Sequence, residues 1–281
     1  MRASLPYLGR GSWLARGDPR TKLLAGALFV VGAIQLRDAR VLAFALVAAL
    51  AYYSLARIPF RAVRRQWIYL ATVIVVIAGL NTIITGGRAG GFAESEVHVL
   101  FRLPLLGAPI TAEAISLSVS QVLRFLAFVA VSMPIAYAIA PGDLGVAFRR
   151  LGLGDRLAFA LDLTIRFIPS LSAEMAETID AQRVRGYDPA AGGRNPLRRI
   201  RGMAPVLVPV TVGAIANAED TIDAMDLRAF GTGRRTWHRE LHYDAGDRAV
   251  IGLALVFAVG ATILNLSGNS EHWLLPFLVG D

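Results

Sequence analysis

The chain has 281 residues, of which 55% are hydrophobic and 18% are charged, and its mean hydropathy is +0.52. It is too long for a peptide hormone, and because soluble domains carry about 25% charged residues, the composition favours a membrane protein. The formal net charge of +8 is typical of nucleic-acid binding on a hydrophilic chain. On an apolar chain it predicts basic loops beside a membrane. The absence of cysteine excludes disulfides, thiolate catalysis, zinc fingers and iron–sulfur clusters.

The basic residues are 28 arginines and one lysine, Lys22. A P-loop needs a glycine-rich run ending in Gly-Lys and then Ser or Thr. Lys22 instead lies between Thr21 and Leu23, with no glycine-rich run before it. The chain therefore has no P-loop of its own, and if ATP acts in its function, another subunit binds the nucleotide.

The first apolar block covers residues 23–36 and 41–56, interrupted by Arg37, Asp38 and Arg40. Each half is shorter than the ~20 residues that span a bilayer. We interpret the block as a tight helical hairpin. A single 34-residue helix is the alternative, but it would place the charges at an unfavourable depth.

Three longer apolar segments, residues 67–85, 110–140 and 249–266, predict further membrane spans. A glycine-rich stretch at residues 86–91 and the following residues 94–109 predict an extramembrane loop. The fold class is therefore predicted to be an all-α integral membrane protein with about five transmembrane helices.

The distribution of basic residues predicts the orientation. With the N-terminus inside, 24 of the 29 basic residues fall in inner segments and four fall in outer segments. The opposite orientation would reverse that ratio, so the positive-inside rule predicts an inner N-terminus. Residues 1–140 then form the N-terminal transmembrane helices, residues 141–248 a cytoplasmic or inner-surface region, and residues 249–281 a C-terminal transmembrane helix with a tail.

The inner region has helical periodicity. Leu171, Met175 and Ile179 recur every four residues and share one helix face. A second apolar run, residues 203–218, contains two prolines and predicts a bent or partly embedded helix. A second acidic helix is expected to follow it from about Glu219.

The two acidic helices end alike. Residues 177–187 read Glu-Thr-Ile-Asp-Ala-Gln-Arg-Val-Arg-Gly-Tyr, and residues 220–230 read Asp-Thr-Ile-Asp-Ala-Met-Asp-Leu-Arg-Ala-Phe. At an offset of 43 residues they share an acid-Thr-Ile-Asp-Ala start, then an arginine, a small residue and an aromatic. Two copies indicate a duplicated functional element rather than a solenoid.

Each copy is a helix that finishes in a cation. The carbonyl end of the helix dipole favours an arginine in the last turn, and Gly186 can adopt the left-handed conformation that ends a helix. One copy alone fits an ordinary helix cap equally well. Two copies, with Arg185 and Arg228 at equivalent places, predict two equivalent receptors that each offer a carboxylate to a guanidinium, and a dimeric partner is the simplest source of both.

These residues resemble the transmembrane T component of energy-coupling-factor transporters, the EcfT/CbiQ family of ABC-type importers. Residues 18–23 match an Asp-Pro-Arg-Thr-Lys-Leu segment of that family, and residues 181–186 and 224–229 match its two Ala-x-x-x-Arg-Gly motifs. The second motif departs by carrying Ala229 in place of glycine. The resemblance covers roughly residues 18–266.

The resemblance implies a non-enzymatic scaffold in a bacterial or archaeal cell membrane. Its coupling helices would dock on two ABC ATPase subunits and move a small integral substrate-binding (S) protein that captures a vitamin or a transition-metal ion. No cofactor or metal is implied for the scaffold itself. The partner-binding residues would be Ala181, Arg185 and Gly186 in the first motif and Ala224, Arg228 and Ala229 in the second.

Other charged residues allow competing interpretations. Asp162 and Arg166 share a helix face. They could form a gating ion pair, but a structural ion pair is the simpler interpretation. Arg124 with Gln121 could mark a substrate site, or Arg124 could snorkel or pair internally.

The remaining polar motifs are weaker. His238 and His242 have metal-pair spacing without the His-Glu-x-x-His signature, so a solvated turn is favoured. The basic run at residues 194–201 lacks interleaved aromatics, which favours anionic lipid over nucleic acid as its partner. Residues 231–236 contain two glycines but predict a loop, not a phosphate cradle.

The alternative function is a self-contained secondary transporter. That class shows inverted repeats of spans and charged groups in the mid-membrane, whereas the repeat found here is direct and extramembrane. A membrane enzyme ranks last because the sequence offers no converging carboxylates, Ser/His/Asp set or His cluster. The cargo cannot be deduced, since the resemblance assigns its choice to another subunit.

Overall fold

The computed structural model describes residues 12, 14, 17–85, 99–102, 109–187, 202–233 and 241–267. These described residues form eight α-helices and two short strands, which confirms the predicted all-α class with one small β-hairpin added. The helices are α1 (Pro19–Gln35), α2 (Ala39–Leu55), α3 (Phe60–Thr85), α4 (Ala112–Ala138), α5 (Leu144–Arg150), α6 (Asp155–Val184), α7 (Ala204–Asp226) and α8 (Ala245–Leu266). The strands are β1 (Val99–Arg102) and β2 (Pro109–Thr111).

The described residues divide into two compact units. The membrane unit comprises α1 to α4, the strands and α8. Among the described residues, the inserted unit comprises residues 141–187, 202–233 and 241, with α5 to α7, and in sequence it is inserted between α4 and α8. Each unit has its own internal packing, so each is described separately.

The predicted break between two helices at the start of the membrane unit is confirmed, and the single 34-residue helix is wrong. The two helices do not pack on each other as a tight hairpin, because α1 packs mainly on α8 and α2 packs mainly on α4. α1 ends at Gln35, residues 36–38 are not helical, and the carboxylate of Asp38 caps α2 by accepting a hydrogen bond from the Arg40 amide at 2.8 Å. Each helix has 17 residues, or about 25 Å at 1.5 Å per residue, which is less than the ~30 Å of a bilayer core.

Three helices in the described part of the chain, α3, α4 and α8, are long and apolar enough to cross a membrane. They carry large outward side chains such as Ile84 and Val256, which are 75% and 71% exposed. Such a surface is unfavourable in water and suits lipid.

Small residues lie where the helices of the membrane unit pack. Ala49 of α2 packs in one cluster with Ala127 and Ala130 of α4, and all three are buried. Small side chains let helix backbones approach closely, which is the main way helices associate in lipid.

The stretch predicted as one extramembrane loop contains structure. β1 and β2 pair antiparallel, with a register irregularity between Val99 and Phe101. β-Branched and aromatic residues favour this pairing, a short signal that the surrounding glycine-rich sequence obscured. Residues 86–98 and 103–108 lie outside the described residues, as do the basic run at residues 194–201 and the apolar tail at residues 273–279.

In the inserted unit, one continuous helix replaces two that the sequence predicted. The separate acidic helix expected from Glu219 is wrong, because α7 continues without a break from Ala204 to Asp226. Pro205 lies in its first turn, where its missing N–H costs nothing, and the helix continues through Pro209 in its interior. α6 likewise runs for 30 residues through Pro169.

Candidate partner-docking site

The first candidate tip, residues 184–187, ends α6 with a full Schellman motif. The Gly186 amide donates to the Arg183 carbonyl, and the Tyr187 amide donates to the Gln182 carbonyl, both at 3.0 Å. Gly186 has φ +84°, the left-handed conformation that this motif requires. The backbone therefore turns sharply away directly after Arg185, and that arginine stays exposed.

The second tip, residues 227–230, has the same hydrogen bonds 43 residues later. The Ala229 amide donates to the Asp226 carbonyl, and the Phe230 amide donates to the Met225 carbonyl, both at 2.9 Å. Ala229 adopts φ +53° although it has a Cβ. The departure from glycine therefore leaves the turn unchanged, and Arg228 is exposed like its counterpart.

A left-handed alanine is strained, so substituting Ala229 by glycine and Gly186 by alanine is expected to change the stability of the chain in opposite directions. Left-handed geometry costs an L-residue about 1–2 kcal/mol. Ala229→Gly should raise the free energy of unfolding by up to about 1 kcal/mol after the entropy of the unfolded glycine is counted, and Gly186→Ala should lower it by a similar amount. Thermal unfolding of the purified chain in detergent checks both, and equal midpoints for the two variants would contradict the motif.

Each tip also carries an exposed aliphatic side chain that the sequence analysis did not single out. Val184 is 91% exposed and Leu227 is 89% exposed, and each directly precedes the arginine of its tip. Their 43-residue offset matches the repeat, which is the signal that could have found them. An apolar group next to a guanidinium suits insertion into a protein groove.

The two alanines of the motifs lie one turn before the tips. Ala181 is exposed on α6, and Ala224 lines an open groove of ≈ 610 Å³ between α6 and α7. Both positions leave room beside the arginine, because a methyl group is the smallest side chain that preserves helix propensity.

The two helices meet at equivalent positions of the repeat. The Asn217 side-chain amide on α7 donates to the Glu174 carboxylate on α6 at 3.3 Å, and these residues are also 43 apart. Contact between equivalent residues is typical of a local two-fold relation. Each arginine follows its contact residue by 11 positions, roughly 16 Å along the helix.

The tips lie at opposite ends of the helix pair. The Phe230 ring lies 4.7 Å from the Phe159 ring near the start of α6. Arg185 follows Phe159 by 26 residues, roughly 39 Å along the helix at 1.5 Å per residue. A single small pocket cannot receive both arginines, whereas two separate receptors can.

The tips differ in charge. Residues 180–187 carry a formal charge of +1 and residues 223–230 carry −1. The difference arises where Arg183 of α6 aligns with Asp226 of α7. Arg183 forms an exposed ion pair with Asp180 at 3.0 Å, so Arg185 and Arg228 lie in different electrostatic surroundings.

The other candidates have structural roles where the structure describes them. No ion pair joins Asp162 to Arg166 among the described residues, and the Cβ of Asp162 lies against Gly145 of α5. Arg124 donates to the Leu36 carbonyl at the end of α1, which favours internal pairing over a substrate site, and Gln121 accepts from Asn81 of α3 at 3.2 Å. His238 lies outside the described residues.

The fold defines the chain as a multi-span α-helical membrane protein with a large unit inserted before its last apolar helix. The sequence profile of the CbiQ family, described as "Cobalt transport protein", matches residues 10–238. The chain therefore belongs to the CbiQ family, a family of transporter membrane components rather than enzymes.

Curated relatives agree with this family. The "Energy-coupling factor transporter transmembrane protein EcfT" of Thermosediminibacter oceani is 30% identical over 91% of this chain and 94% of its own length. The proteins with the same name from Bacillus selenitireducens and Bacillus subtilis are 26% and 27% identical, over 94% and 90% of this chain and 97% and 94% of their own lengths. The predicted resemblance to the T component of energy-coupling-factor transporters is confirmed.

Proposed function

We propose that the chain is the scaffold that couples ATP hydrolysis by two cytoplasmic ABC ATPase subunits to the movement of a membrane-embedded S protein, for uptake of a vitamin or a metal ion. The observation that carries the proposal is the pair of equivalent tips at opposite ends of α6 and α7. Two matched, outward-facing arginines need two receptors, and a dimeric ATPase provides two.

At each tip the turn and the side chains have separate tasks. The guanidinium of Arg185 or Arg228 pairs bidentately with a carboxylate of the ATPase. Val184 or Leu227 inserts as an apolar anchor next to that pair. The left-handed turn residue removes the following backbone from the contact.

The energy for this work comes from the partners. The sequence has a single lysine and no P-loop, so the nucleotide is bound by the ATPase subunits. ATP-driven movement of those subunits displaces both tips, and the long, regular helices α6 and α7 transmit the displacement.

The proposed location is the cytoplasmic membrane of a bacterium or archaeon, with the N-terminus and the inserted unit on the inner side. The excess of arginine in the predicted inner segments supports this orientation. It also places the tips in the compartment that contains ATP.

Cross-linking from single cysteines tests the docking directly, because the natural chain contains no cysteine. Val184→Cys and Leu227→Cys, each carrying a photoreactive maleimide, should form adducts with ATPase subunits in isolated membranes, since both positions are about 90% exposed. Mass spectrometry of the adducts identifies the subunit reached from each tip.

Ile168→Cys is the matched control, because it is exposed on α6 but lies four turns from the first tip. It should give no ATPase adduct. If neither tip cross-links to an ATPase while all three cysteines label fully, the proposed docking is wrong.

A further inference from the structure

The N-terminal segment, residues 17–22, buries four charged or polar side chains at the start of α1. Asp18, Arg20, Thr21 and Lys22 are each at most 7% exposed. Asp18 caps α1 by accepting from the Arg20 amide at 2.9 Å, and its carboxylate also pairs with the Arg20 guanidinium. Helix caps are usually solvated, so this degree of burial exceeds what capping alone requires.

Lys22 holds the end of α4. Its ammonium donates to the Ala138 carbonyl at 3.0 Å, one of the carbonyls that a helix C-terminus leaves without an intrahelical partner. A cation at this position also complements the helix dipole. The last turn of α4 is thereby tied to the first turn of α1.

The same segment holds the start of α8. The Asp18 amide donates to the Asp247 carboxylate at 3.2 Å, and that carboxylate also accepts from the Asp244 amide at 3.1 Å in the cap of α8. The Arg20 guanidinium stacks over the Tyr243 ring at 4.1 Å. At Gly17 a Cβ would lie 2.8 Å from the Asp247 carboxylate, so the close approach leaves no room for a side chain.

The end of α4 and the start of α8 are also where the chain leaves and re-enters the membrane unit. Among the described residues, the chain passes between the two units after residue 140 and after residue 241. Ala138 lies two residues before the first passage, and Tyr243 lies two residues after the second. One buried segment therefore holds both attachment points of the inserted unit within the membrane unit.

We propose that residues 17–22 fix these two attachment points relative to each other, and that Lys22 and Asp247 are positioning residues for energy coupling. This proposal rests on the proposed function. With both attachments held, displacement of the inserted unit moves α4 and α8 as whole helices. Without the segment, the same displacement is absorbed by fraying of the last turn of α4 and the first turn of α8.

The cost of burying these charges supports a positioning role. Desolvating a charged group costs several kcal/mol, and well-packed apolar residues often replace a buried ion pair without loss of stability. Apolar residues would not fix the direction of approach as hydrogen bonds from Lys22 and to Asp247 do. The fixed geometry of the attachment points, rather than a gain in stability, therefore explains why these buried residues are polar.

The test compares nucleotide-driven movement in the two units and needs no knowledge of the cargo. The complex is purified with its ATPase subunits, and an environment-sensitive fluorophore is placed on Leu157→Cys in α6 or on Phe44→Cys in α2, which are 63% and 72% exposed. A nonhydrolysable ATP analogue should change both signals in the otherwise natural chain. In Lys22→Met the α6 signal should persist and most of the α2 signal should be lost.

Asp247→Asn is the second variant, since it keeps the shape of the side chain and removes only the charge. It should reduce the α2 signal in the same way if Lys22→Met fails to assemble. Arg64→Met is the matched control, because it removes an exposed cation from α3, which carries neither label, and it should leave both signals unchanged.

Each other result has a defined meaning. An unchanged α2 signal in an assembled Lys22→Met or Asp247→Asn complex overturns the positioning role. A parallel loss of the α6 and α2 signals and of thermal stability shows a structural role only, and also overturns it. If neither label responds in the natural chain, the proposed function itself fails, before the segment is considered.

Discussion

Replacing Arg185 and Arg228 together with glutamate is expected to release the ATPase subunits from the purified complex. Removing one partner of a buried, hydrogen-bonded charge pair costs about 2–5 kcal/mol, so each tip should lose affinity by at least about 30-fold. Charge reversal adds repulsion from the carboxylates of the receptor. Because both arginines are exposed in the chain itself, the membrane fold should survive, and co-purification on an affinity tag measures the result.

Arg61→Glu combined with Arg65→Glu is the matched control. Both arginines are exposed at the start of α3, in the membrane unit, which carries neither tip, and the variant makes the same change in net charge. It should retain the ATPase subunits. If the Arg185→Glu, Arg228→Glu variant co-purifies with the ATPase subunits as well as the natural chain does, the two arginines do not take part in docking.

Gly32→Leu is expected to separate α1 from α8. A Cβ at Gly32 would lie 2.9 Å from the Phe257 ring and 3.1 Å from the Ala258 Cα. The ring has little room to move, since it stacks on Phe29 at 5.0 Å. Overpacking of this kind costs about 1–3 kcal/mol and occasionally more, so the midpoint of thermal unfolding in detergent should fall clearly.

Gly252→Leu is the control for this change, because nothing lies within 4 Å of a Cβ there on the same helix α8. The midpoint of thermal unfolding should stay the same or rise, since the helix propensity of leucine exceeds that of glycine by almost 1 kcal/mol. Equal midpoints for Gly32→Leu and Gly252→Leu would mean that α1 and α8 do not pack as closely as the structure shows.

Local patterns in the sequence account for much of the fold. The charged interruption at Arg37 and Asp38 predicted the break between α1 and α2, because an unsatisfied charge is costly within a span, and Asp38 caps α2. The tight pairing of these two helices was wrong, because each packs on a helix that is distant in sequence. The predicted spans correspond to α1, α2, α3, α4 and α8. The separate helix from Glu219 was wrong because a change from apolar to acidic residues alters which surface a helix suits without interrupting its backbone.

The candidate site was predictable only in part. The 43-residue offset located Arg185 and Arg228, because equivalent side chains recur at equivalent helix positions. The same offset also aligns Val184 with Leu227, but an aliphatic residue near a helix end is ordinarily buried, so only their exposure in the structure marks them as part of the site. The role of Lys22 was also hidden, because its partner at Ala138 is 116 residues away.

The sequence by itself determined that the chain is a membrane protein, that its single lysine lies outside any P-loop pattern, and that one helix-end motif occurs twice. These properties follow from hydropathy, residue type and local periodicity, which do not depend on distant contacts. Only the tertiary structure decided that Ala229 turns like Gly186, that the tips lie at opposite ends of one helix pair, and that a single buried segment holds α4 and α8. The turn at Ala229 is local, but a non-glycine residue does not reveal a left-handed conformation in advance. The other two features depend on residues far apart in sequence, whose approach is fixed by packing and by the need to pair buried charges.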